Sequence, residues 1–390
     1  MTIDMNGEHN LVPSGLTRNA IAVQGYGVSN LELSYVTVLN SSGQNAFAFD
    51  KTSTYLMILF NTISVGGTAL VGNTNQTDWT AIYTEANHSN VSHNKIVNST
   101  SGYPRGPAGG IELHGSYNTA IGNDISYGFP CFYANSQFIS VPQNDVTIAD
   151  NHCRNAYIGI VLNKGITNHL DISNNDIYLT TGSWPASVQS LYGSYGVNQY
   201  NSSSSPDDLY DIVHYAKVVN NTITEVESSP LSRNNTIGIR VGSFYSSIIA
   251  GNTIQDVAGP GIQVYGSPYG LTDLFIDRNT LVDFGSNTTP YGHYGIELAF
   301  SGRVSKCTAP CAAYFSLDRV TIIDNVIALT SVSATASAFY LNWDQVHSSI
   351  TGLVIKNNSI RNITHPRGGL ADTSGTKGVV RVTGSGASRK

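Results

Sequence analysis

The chain contains 390 residues, only 12% of which are charged, and its formal net charge is −6. This balance excludes nucleic acid as the partner, because phosphate binding requires a basic stripe. No apolar run approaches the ~18 residues that a membrane-spanning helix needs, so we expect no membrane segment.

The N-terminal residues show no signal peptide, since Met1 leads directly into a mixed polar and apolar stretch. The chain opens as though an earlier coil or cap had been removed, and we expect residues 1–17 to be a lead-in. At the other end, we expect residues 382–390 to form a flexible tail.

One short module recurs along the chain and is clearest from Gly110 to Ile125. It consists of a strand with alternating apolar residues, a tight polar turn and a second apolar stretch that ends in Asn-x-Ile. The Asn-x-apolar ending occurs ten times at a mean interval of 33 residues, after a degenerate copy at Val36. Its asparagines are Asn61, Asn94, Asn123, Asn151, Asn175, Asn221, Asn252, Asn279, Asn325 and Asn358.

A repeat of this length that is built from strand patterns is typical of stacked coils. An Asn at a fixed place in each coil suits a turn that needs a left-handed backbone, and its amide can hydrogen-bond the Asn of the next coil. In these features the chain resembles the right-handed parallel β-helix of the pectate-lyase-like superfamily, which also contains pectin hydrolases, alginate epimerases and phage tailspikes. The resemblance covers residues 18–381 and implies one all-β domain, a solenoid of about 11 coils. Trimers occur in this superfamily, so a homo-oligomer remains open.

The segment Gly-Ile-Glu-Leu-His, residues 110–114, sets the register. Because side chains alternate across a strand, Ile111 and Leu113 point into the solenoid, whereas Glu112 and His114 point outward. The predicted inward pairs are Ile21/Val23, Phe47/Phe49, Ile82/Thr84, Ile111/Leu113, Phe132/Ala134, Ile160/Leu162, Val197/Gln199, Ile239/Val241, Ile262/Val264, Ile296/Leu298 and Phe339/Leu341.

The outward residues fall into two columns, in which neighbours lie ~4.8 Å apart. The first column is Ala22, Ala48, Tyr83, Glu112, Tyr133, Val161, Asn198, Arg240, Gln263, Glu297 and Tyr340. The second column is Gln24, Asp50, Glu85, His114, Asn135, Asn163, Tyr200, Gly242, Tyr265, Ala299 and Asn342.

Asp50, Glu85, Glu112 and His114 form the predicted catalytic cluster. Three carboxylates and an imidazole on adjacent coils put like charges within ~5 to 7 Å. Such proximity raises a carboxyl pKa, as a general acid at neutral pH requires. The alternative is that acids meet by chance on an outward face that is polar anyway. The predicted substrate-binding residues around the cluster are Tyr83, Tyr133, Asn135, Asn163 and Lys164.

A second group on the same face, Arg240, Gln263, Tyr265 and Glu297, supplies further predicted subsites. Arg240 and Glu297 lie two coils apart, so a direct salt bridge would require both side chains to lean across ~10 Å. A solvated polar face is the alternative interpretation.

Long insertions flank the same strand in several coils and should wall a groove over it. Aromatic residues there suit sugar rings, which stack on aromatic faces, so we expect an extended polysaccharide or oligosaccharide as the ligand. The groove aromatics are Tyr192, Tyr195, Tyr200, Tyr210, Tyr265, Tyr291, Tyr294 and Trp343, and Trp184 lies in a loop.

Three functions remain open, and the sequence favours the first, on a neutral or weakly charged glycan, because an acidic groove repels uronates. The first is a glycoside hydrolase that uses two of the three clustered carboxylates, with His114 orienting one of them. The second is a polysaccharide lyase or epimerase with His114, a Tyr or Lys164 as the base, and with Asn135, Arg240 or Ca²⁺ neutralising a uronate carboxylate. The third is a non-catalytic glycan-binding or structural β-helix, such as an adhesin. For all three we expect a secreted or extracellular protein.

No cofactor is expected, and the metal prediction is limited to Ca²⁺ at Asp207, Asp208 and Asp211, where solvated acids are the alternative. Cys307 and Cys311 flank Thr-Ala-Pro and are predicted to form a small-loop disulfide. Cys153 takes the inward position of the Asn-x-apolar motif and is predicted to be a buried thiol. Cys131 is not expected to be its partner, because it precedes the inward Phe132 by one position.

Overall fold

The structure is a computed structural model of the chain. It describes residues 1–5, 21–41, 45–65, 80–98, 109–135, 142–163, 165–191, 193–200, 212–227, 236–265, 271–285, 293–300, 315–333, 336–343, 348–363 and 380–383.

The described residues form a right-handed parallel β-helix, whose coils contribute strands in turn to three parallel sheets. We call these sheets 1, 2 and 3 in the order in which a coil visits them. Sheet 1 contains Val23–Gly25, Phe47–Phe49, Thr80–Thr84, Gly109–Leu113, Phe132–Asn135, Ile158–Asn163, Tyr195–Tyr200, Ile237–Val241, Ile262–Tyr265, Tyr294–Phe300, Ser337–Trp343 and Val380–Thr383.

Sheets 2 and 3 are joined within each coil by a two-residue turn. Sheet 2 contains Glu32–Ser34, Met57–Leu59, Asn90–Ser92, Thr119–Ile121, Gln143–Ala149, Ile166–Ser173, Ile212–His214, Lys217–Val219, Phe244–Ala250, Leu271–Asp277, Phe315–Ile323, Ser348–Thr351 and Val354–Lys356. Sheet 3 contains Thr2–Asp4, Thr37–Ser41, Thr62–Val65, Lys95–Val97, Asp124–Ser126, His152–Ala156, Asp176–Thr180, Thr222–Glu227, Thr253–Gln255, Thr280–Val282, Val326–Ser333 and Ser359–Ile363. A short helix, Ala186–Leu191, follows a 3-10 turn at Thr181–Ser183.

The variable connections flank sheet 1, as predicted, while the opposite corner of every coil is a tight turn. The lead-in predicted for residues 1–17 contributes the strand Thr2–Asp4, which pairs with the next strand of sheet 3. The tail predicted from residue 382 begins inside Val380–Thr383, so its first two residues belong to sheet 1. Within the described ranges, no helix is long and apolar enough to cross a membrane.

The predicted register of sheet 1 is confirmed in every coil after the first. Glu112 pairs with Tyr83 on one side and with Tyr133 on the other, and Arg240, Gln263 and Glu297 follow one another along the same column. The inward residues between them form one continuous buried core.

The first coil contradicts the prediction by two residues. Gln24 pairs with Ala48, so the inward pair is Val23/Gly25 and not Ile21/Val23. Gly25 lies against the core, where an added Cβ would approach Cδ1 of Phe49 to 2.7 Å. A side chain does not fit at this position. The second inward residue of the first coil is therefore a glycine, which the search for alternating apolar residues could not recognise.

The predicted asparagine ladder is confirmed along its whole length. Each Nδ2 donates to Oδ1 of the next ladder Asn at 2.9–3.0 Å, from Asn61 to Asn358. Each Nδ2 also donates to a main-chain carbonyl of the preceding coil, for example from Asn151 to Ala120 at 2.9 Å. The ladder therefore joins three successive coils at every step.

The expectation that the ladder Asn itself adopts the left-handed backbone is wrong. The residue before it does, as at Phe60 (φ 54°) and His93 (φ 57°). The ladder Asn keeps its main-chain N–H directed at the next coil, where it donates to the same Oδ1, as from Asn61 to Asn94 at 3.0 Å.

Cys131 and Cys153 form a disulfide, with Cα atoms 6.0 Å apart. Cys153 is buried at the inward position, as predicted, but it is not a free thiol, and the expectation that Cys131 is not its partner is wrong. Cys131 precedes the strand Phe132–Asn135 and lies at the corner between sheets 3 and 1, where strand alternation does not yet apply. Its side chain is fully buried and meets Cys153 on sheet 3 inside the coil. The predicted Cys307–Cys311 disulfide lies outside the described residues.

Removing this disulfide should destabilise the solenoid. The bridge closes a loop of 22 residues, for which chain entropy gives a stabilisation of about 3 kcal/mol. We expect Cys131→Ala/Cys153→Ala to lower the free energy of unfolding by about that amount in urea titrations. Reductant should lower the wild-type midpoint towards that of the double variant, and an unchanged midpoint in both tests would contradict the assignment.

Candidate functional site

The outward face of sheet 1 brings the predicted cluster together on three adjacent coils. Glu112 is 4% exposed, and its Oε1 lies 2.8 Å from Nε2 of His114. Nδ2 of Asn135 donates to the same oxygen at 2.9 Å, and the Thr80 hydroxyl donates to Oε2 at 3.3 Å. Three donors therefore converge on one enclosed carboxylate, which bonds its imidazole partner through Nε2–H.

Tyr83 and Glu85 lie on the neighbouring coil. The Tyr83 ring packs against the His114 ring with 4.9 Å between centroids, and its hydroxyl donates to Oε1 of Glu85 at 2.6 Å. The main-chain N–H of Lys51 donates to the other Glu85 oxygen at 3.1 Å. Tyr83 is partly exposed, whereas Glu112 is buried beneath the face.

Asp50 occupies its predicted position, yet its oxygens bond the local turn. Oδ1 accepts from the Gly27 main chain at 3.0 Å and from the Ser53 hydroxyl at 2.8 Å, and Oδ2 accepts from the Thr52 hydroxyl. Burial acts to raise the pKa of Asp50, but these hydrogen bonds outweigh it and lower the pKa to about 2. The geometry is that of a turn-capping residue.

We expect Asp50→Ala to cost roughly 1 kcal/mol at neutral pH, as loss of a capping acceptor does. Because the pKa of Asp50 is lowered in the folded state, its contribution is present above the unfolded value of 3.8 and is lost as the pH falls towards about 2. The wild-type and variant melting temperatures should therefore converge in acid. Asp150→Asn, an exposed turn position that Asn also favours, is the control, and a difference that is as large at pH 2 as at neutral pH would contradict the capping role.

Buried acceptors without partners continue along the face from the cluster. In the part of the chain that the structure describes, no hydrogen-bond partner is present for Oδ1 of Asn135, Asn163 and Asn198 or for Nδ1 of His114. Asn163 pairs with Asn135 in the second column, and Asn198 lies in the first. Lys164, which was predicted beside them, lies outside the described residues. These acceptors are suited to hydroxyl donors from a ligand.

An insertion forms a second apolar cluster over the middle of sheet 1. Trp184 and Val188 are buried against Tyr157 and Val161, with Phe129 and Tyr133 packed at the margin. Trp184 lies in a loop, as predicted, and it is only 3% exposed because its ring packs against Phe129 and Tyr157. The cluster builds one wall of the groove beside Tyr133.

The second predicted group forms a connected network. Arg240 Nε donates to Oε1 of Gln263 at 3.0 Å, and Nε2 of Gln263 donates to Glu297 at 2.7 Å. The Gln263 amide thus bridges the charged groups of Arg240 and Glu297, between which a direct salt bridge would require both side chains to lean. The Arg240 guanidinium lies 4.3 Å from the Tyr265 ring centroid and 5.5 Å from that of Tyr195.

Burial raises the pKa of Glu297, and the Gln263 hydrogen bond and the Arg240 charge oppose this shift. Glu225 on sheet 3, which sequence reasoning did not select, also has a pKa raised by burial. It accepts hydrogen bonds from the Thr181 and Thr236 hydroxyls and from the Ala258 main chain. No pattern in the sequence marks Glu225 as a buried carboxyl group.

Among the described residues, no group of three or more His, Cys, Asp or Glu side chains could hold a metal ion. The predicted Ca²⁺ ligands lie outside the described part of the chain, as do Tyr192, Tyr210 and Tyr291. Of the remaining groove aromatics, Tyr195 and Tyr265 are partly exposed, and Tyr294 is buried.

No protein-family model matches the chain, and no curated protein sequence matches it. Solved structures similar to it include a mutant of the periplasmic alginate epimerase AlgG (12% identity, TM-score 0.41, 92% of this chain and 83% of that one). Another is the A-module of the Azotobacter vinelandii mannuronan C-5 epimerase AlgE4 (12% identity, TM-score 0.41, 93% and 91%). A third is the catalytic domain of a GH87 α-1,3-glucanase in complex with nigerose (10% identity, TM-score 0.40), of which the chain spans 61% while 94% of the chain is covered. These similarities concern the fold.

Proposed function

We propose that the protein is an exported enzyme that acts on an extended polysaccharide and abstracts a proton from a sugar ring, with His114 as the general base. The observation that carries the proposal is the enclosed Glu112–His114 pair, in which Oε1 and Nε2 lie 2.8 Å apart. A carboxylate that accepts from Nε2–H fixes the tautomer and leaves the Nδ1 lone pair as the base. Nδ1 of His114 is buried and has no hydrogen-bond partner among the described residues.

Tyr83 is the second proton-transfer group of the proposal. Its partly exposed hydroxyl donates to Glu85, and its ring packs against the imidazole. In a lyase, His114 would take the proton at the carbon next to the sugar carboxylate. The electron pair would form a ring double bond, and the leaving oxygen would accept a proton from Tyr83. In an epimerase, Tyr83 would instead return a proton to the same carbon from the opposite face.

Hydrolysis by paired carboxylates is less well supported by this geometry. Hydrolysis requires one carboxyl group to donate a proton and another to act as a base or nucleophile. Asp50 is bonded within its turn, Glu85 accepts from Tyr83 and Lys51, and Glu112 accepts from three donors. The disulfide between Cys131 and Cys153 fits an oxidising compartment and supports export.

The test is to incubate the protein with polyuronates and neutral polysaccharides in D₂O. New reducing ends together with unsaturated-uronate absorbance would show a lyase, and solvent deuterium on the ring carbon without chain cleavage would show an epimerase. New reducing ends without absorbance or ring deuterium would overturn the proposal in favour of the hydrolase. Binding without any of these products would favour the non-catalytic alternative.

A further inference from the structure

The strongest unassigned feature lies four coils along the groove from Glu112, at Asn198 and Arg240. These two residues are direct neighbours in the first outward column. The register places Arg240 four strand spacings from Glu112, or ~19 Å, through Tyr133, Val161 and Asn198. The two places therefore contact different sugar units of any ligand that follows the groove.

The Arg240 side chain is held by a hydrogen bond at Nε and by two aromatic rings that lie against its guanidinium. Nε donates to Gln263, and the guanidinium lies over the Tyr265 ring and beside the Tyr195 ring. The Tyr265 hydroxyl is anchored to the main-chain carbonyl of Gln199 at 2.8 Å. Within the described part of the chain, Nη1 and Nη2 have no hydrogen-bond acceptor, and the side chain remains partly exposed. A planar fork with two unused donors recognises a carboxylate or a sulfate.

Asn198 supplies an independent observation beside it. Asn198 is 1% exposed, and within the described ranges its Oδ1 has no hydrogen-bond partner. A buried amide oxygen that accepts nothing carries a desolvation cost, which a ligand donor would remove. Sugar hydroxyls are such donors, and one next to the anionic substituent would be within reach of the neighbouring coil.

We propose that Arg240 and Asn198, flanked by Tyr195 and Tyr265, form a subsite for a sugar residue that carries an anionic substituent. Arg240 binds the carboxylate or sulfate through Nη1 and Nη2, and Asn198 Oδ1 accepts a hydroxyl of the same residue. Glu297 does not neutralise the guanidinium directly, because Gln263 lies between the two. The inference deepens the proposed function and rests on it only in taking the ligand to be an extended glycan.

The test is binding by affinity electrophoresis with two matched pairs of polymers. One pair is a polyuronate and its carboxyl-reduced form, and the other is a sulfated polysaccharide and its desulfated form. The wild type should prefer the anionic member of one pair, which identifies the substituent. Arg240→Gln should weaken binding of that member about 10-fold to 100-fold, lower its salt dependence by about one charge and leave the neutral member unchanged.

Arg278→Gln is the matched control, because Arg278 is exposed on the turn between sheets 2 and 3 and pairs only with Asp277 in the described structure. Asn198→Ser should weaken binding of both members of the preferred pair, since it affects a hydroxyl contact. Equal binding of both members of each pair by the wild type would overturn the proposal, as would equal effects of Arg240→Gln and Arg278→Gln.

The binding experiment separates this inference from the proposed function. If Arg240→Gln removes the anion preference while His114→Asn leaves turnover unchanged, the subsite stands and the catalytic proposal fails. If His114→Asn abolishes turnover while Arg240→Gln changes neither binding nor its salt dependence, the catalytic proposal stands and the subsite proposal fails.

Discussion

Replacing His114 with Asn is expected to lower kcat on the polysaccharide substrate by about 10²-fold to 10⁴-fold, the usual contribution of a general base. Glu112 still accepts from Asn135 and Thr80 in this variant, so the carboxylate keeps partners and the fold should be retained. The reacting carbon loses its proton acceptor, whereas the contacts that bind the glycan remain. The loss should therefore appear in kcat with little change in KM.

Glu112→Gln tests whether the carboxylate acts through the imidazole. A Gln side chain accepts and donates at the same time, so it no longer enforces the Nε2–H tautomer, and kcat should fall while the shape is kept. A change in the pH–rate profile would distinguish this positioning role from a packing role. His88→Asn is the control, because His88 is exposed and stacked between Tyr55 and Tyr117. Turnover of the His114 variant within a few-fold of the wild type would exclude His114 as the base.

The second large effect is expected in the interior of the asparagine ladder. Asn151 donates to Ala120 and Asn175, and its Oδ1 accepts the main-chain and side-chain N–H groups of Asn123. Asn151→Ala would leave these buried partners unsatisfied, at about 1–3 kcal/mol each for those that find no water. We expect the free energy of unfolding to fall by about 4 kcal/mol or more, in the range reserved for broken buried networks.

The end of the ladder provides the matched control. Asn358 is partly exposed, and water can replace its bonds, so Asn358→Ala should cost about 1 kcal/mol. Asn151→Asp should keep the acceptor function but place lone pairs against Ala120 and Asn175, and its stability should recover as the carboxyl takes up a proton in acid. If urea unfolding shows that Asn151→Ala and Asn358→Ala lower the free energy of unfolding equally, burial of the ladder does not contribute to its stabilising effect.

The fold could be predicted because two independent signals mark the coils from Asn61 to Asn358. The ladder Asn fixes the period, and the alternation in Gly-Ile-Glu-Leu fixes which side chains face outward. Alternation alone is blind to a shift of two residues, which explains the error at the first coil. In the first coil, Val23 and Gly25 face inward. The degenerate motif of this coil, at Val36, has no ladder Asn that could have corrected the alignment.

The site could be predicted as a set of neighbours but not as a set of contacts. Strand spacing placed Asp50, Glu85, Glu112 and His114 together, yet rotamers decide which atoms meet. Asp50 bonds its own turn because Thr52 and Ser53 follow it closely in sequence, whereas Glu112 reaches His114 and Asn135. The Cys131–Cys153 bridge was missed for a related reason, since corners between sheets do not follow strand alternation.

The direction of the ladder has a consequence for how this protein can change in length. All nine side-chain bonds run from the earlier Asn to the later one, so the donor of any coil fits the acceptor of any later coil. A deletion that removes one whole coil would leave the chain of amides unbroken, while a partial deletion would orphan one donor and one acceptor. The separation between His114 and Arg240 can therefore evolve only in increments of one coil, ~4.8 Å. A related protein with a different number of coils between the proposed base and the proposed anion subsite would contact a glycan at a different interval, while the residues of each site stayed the same.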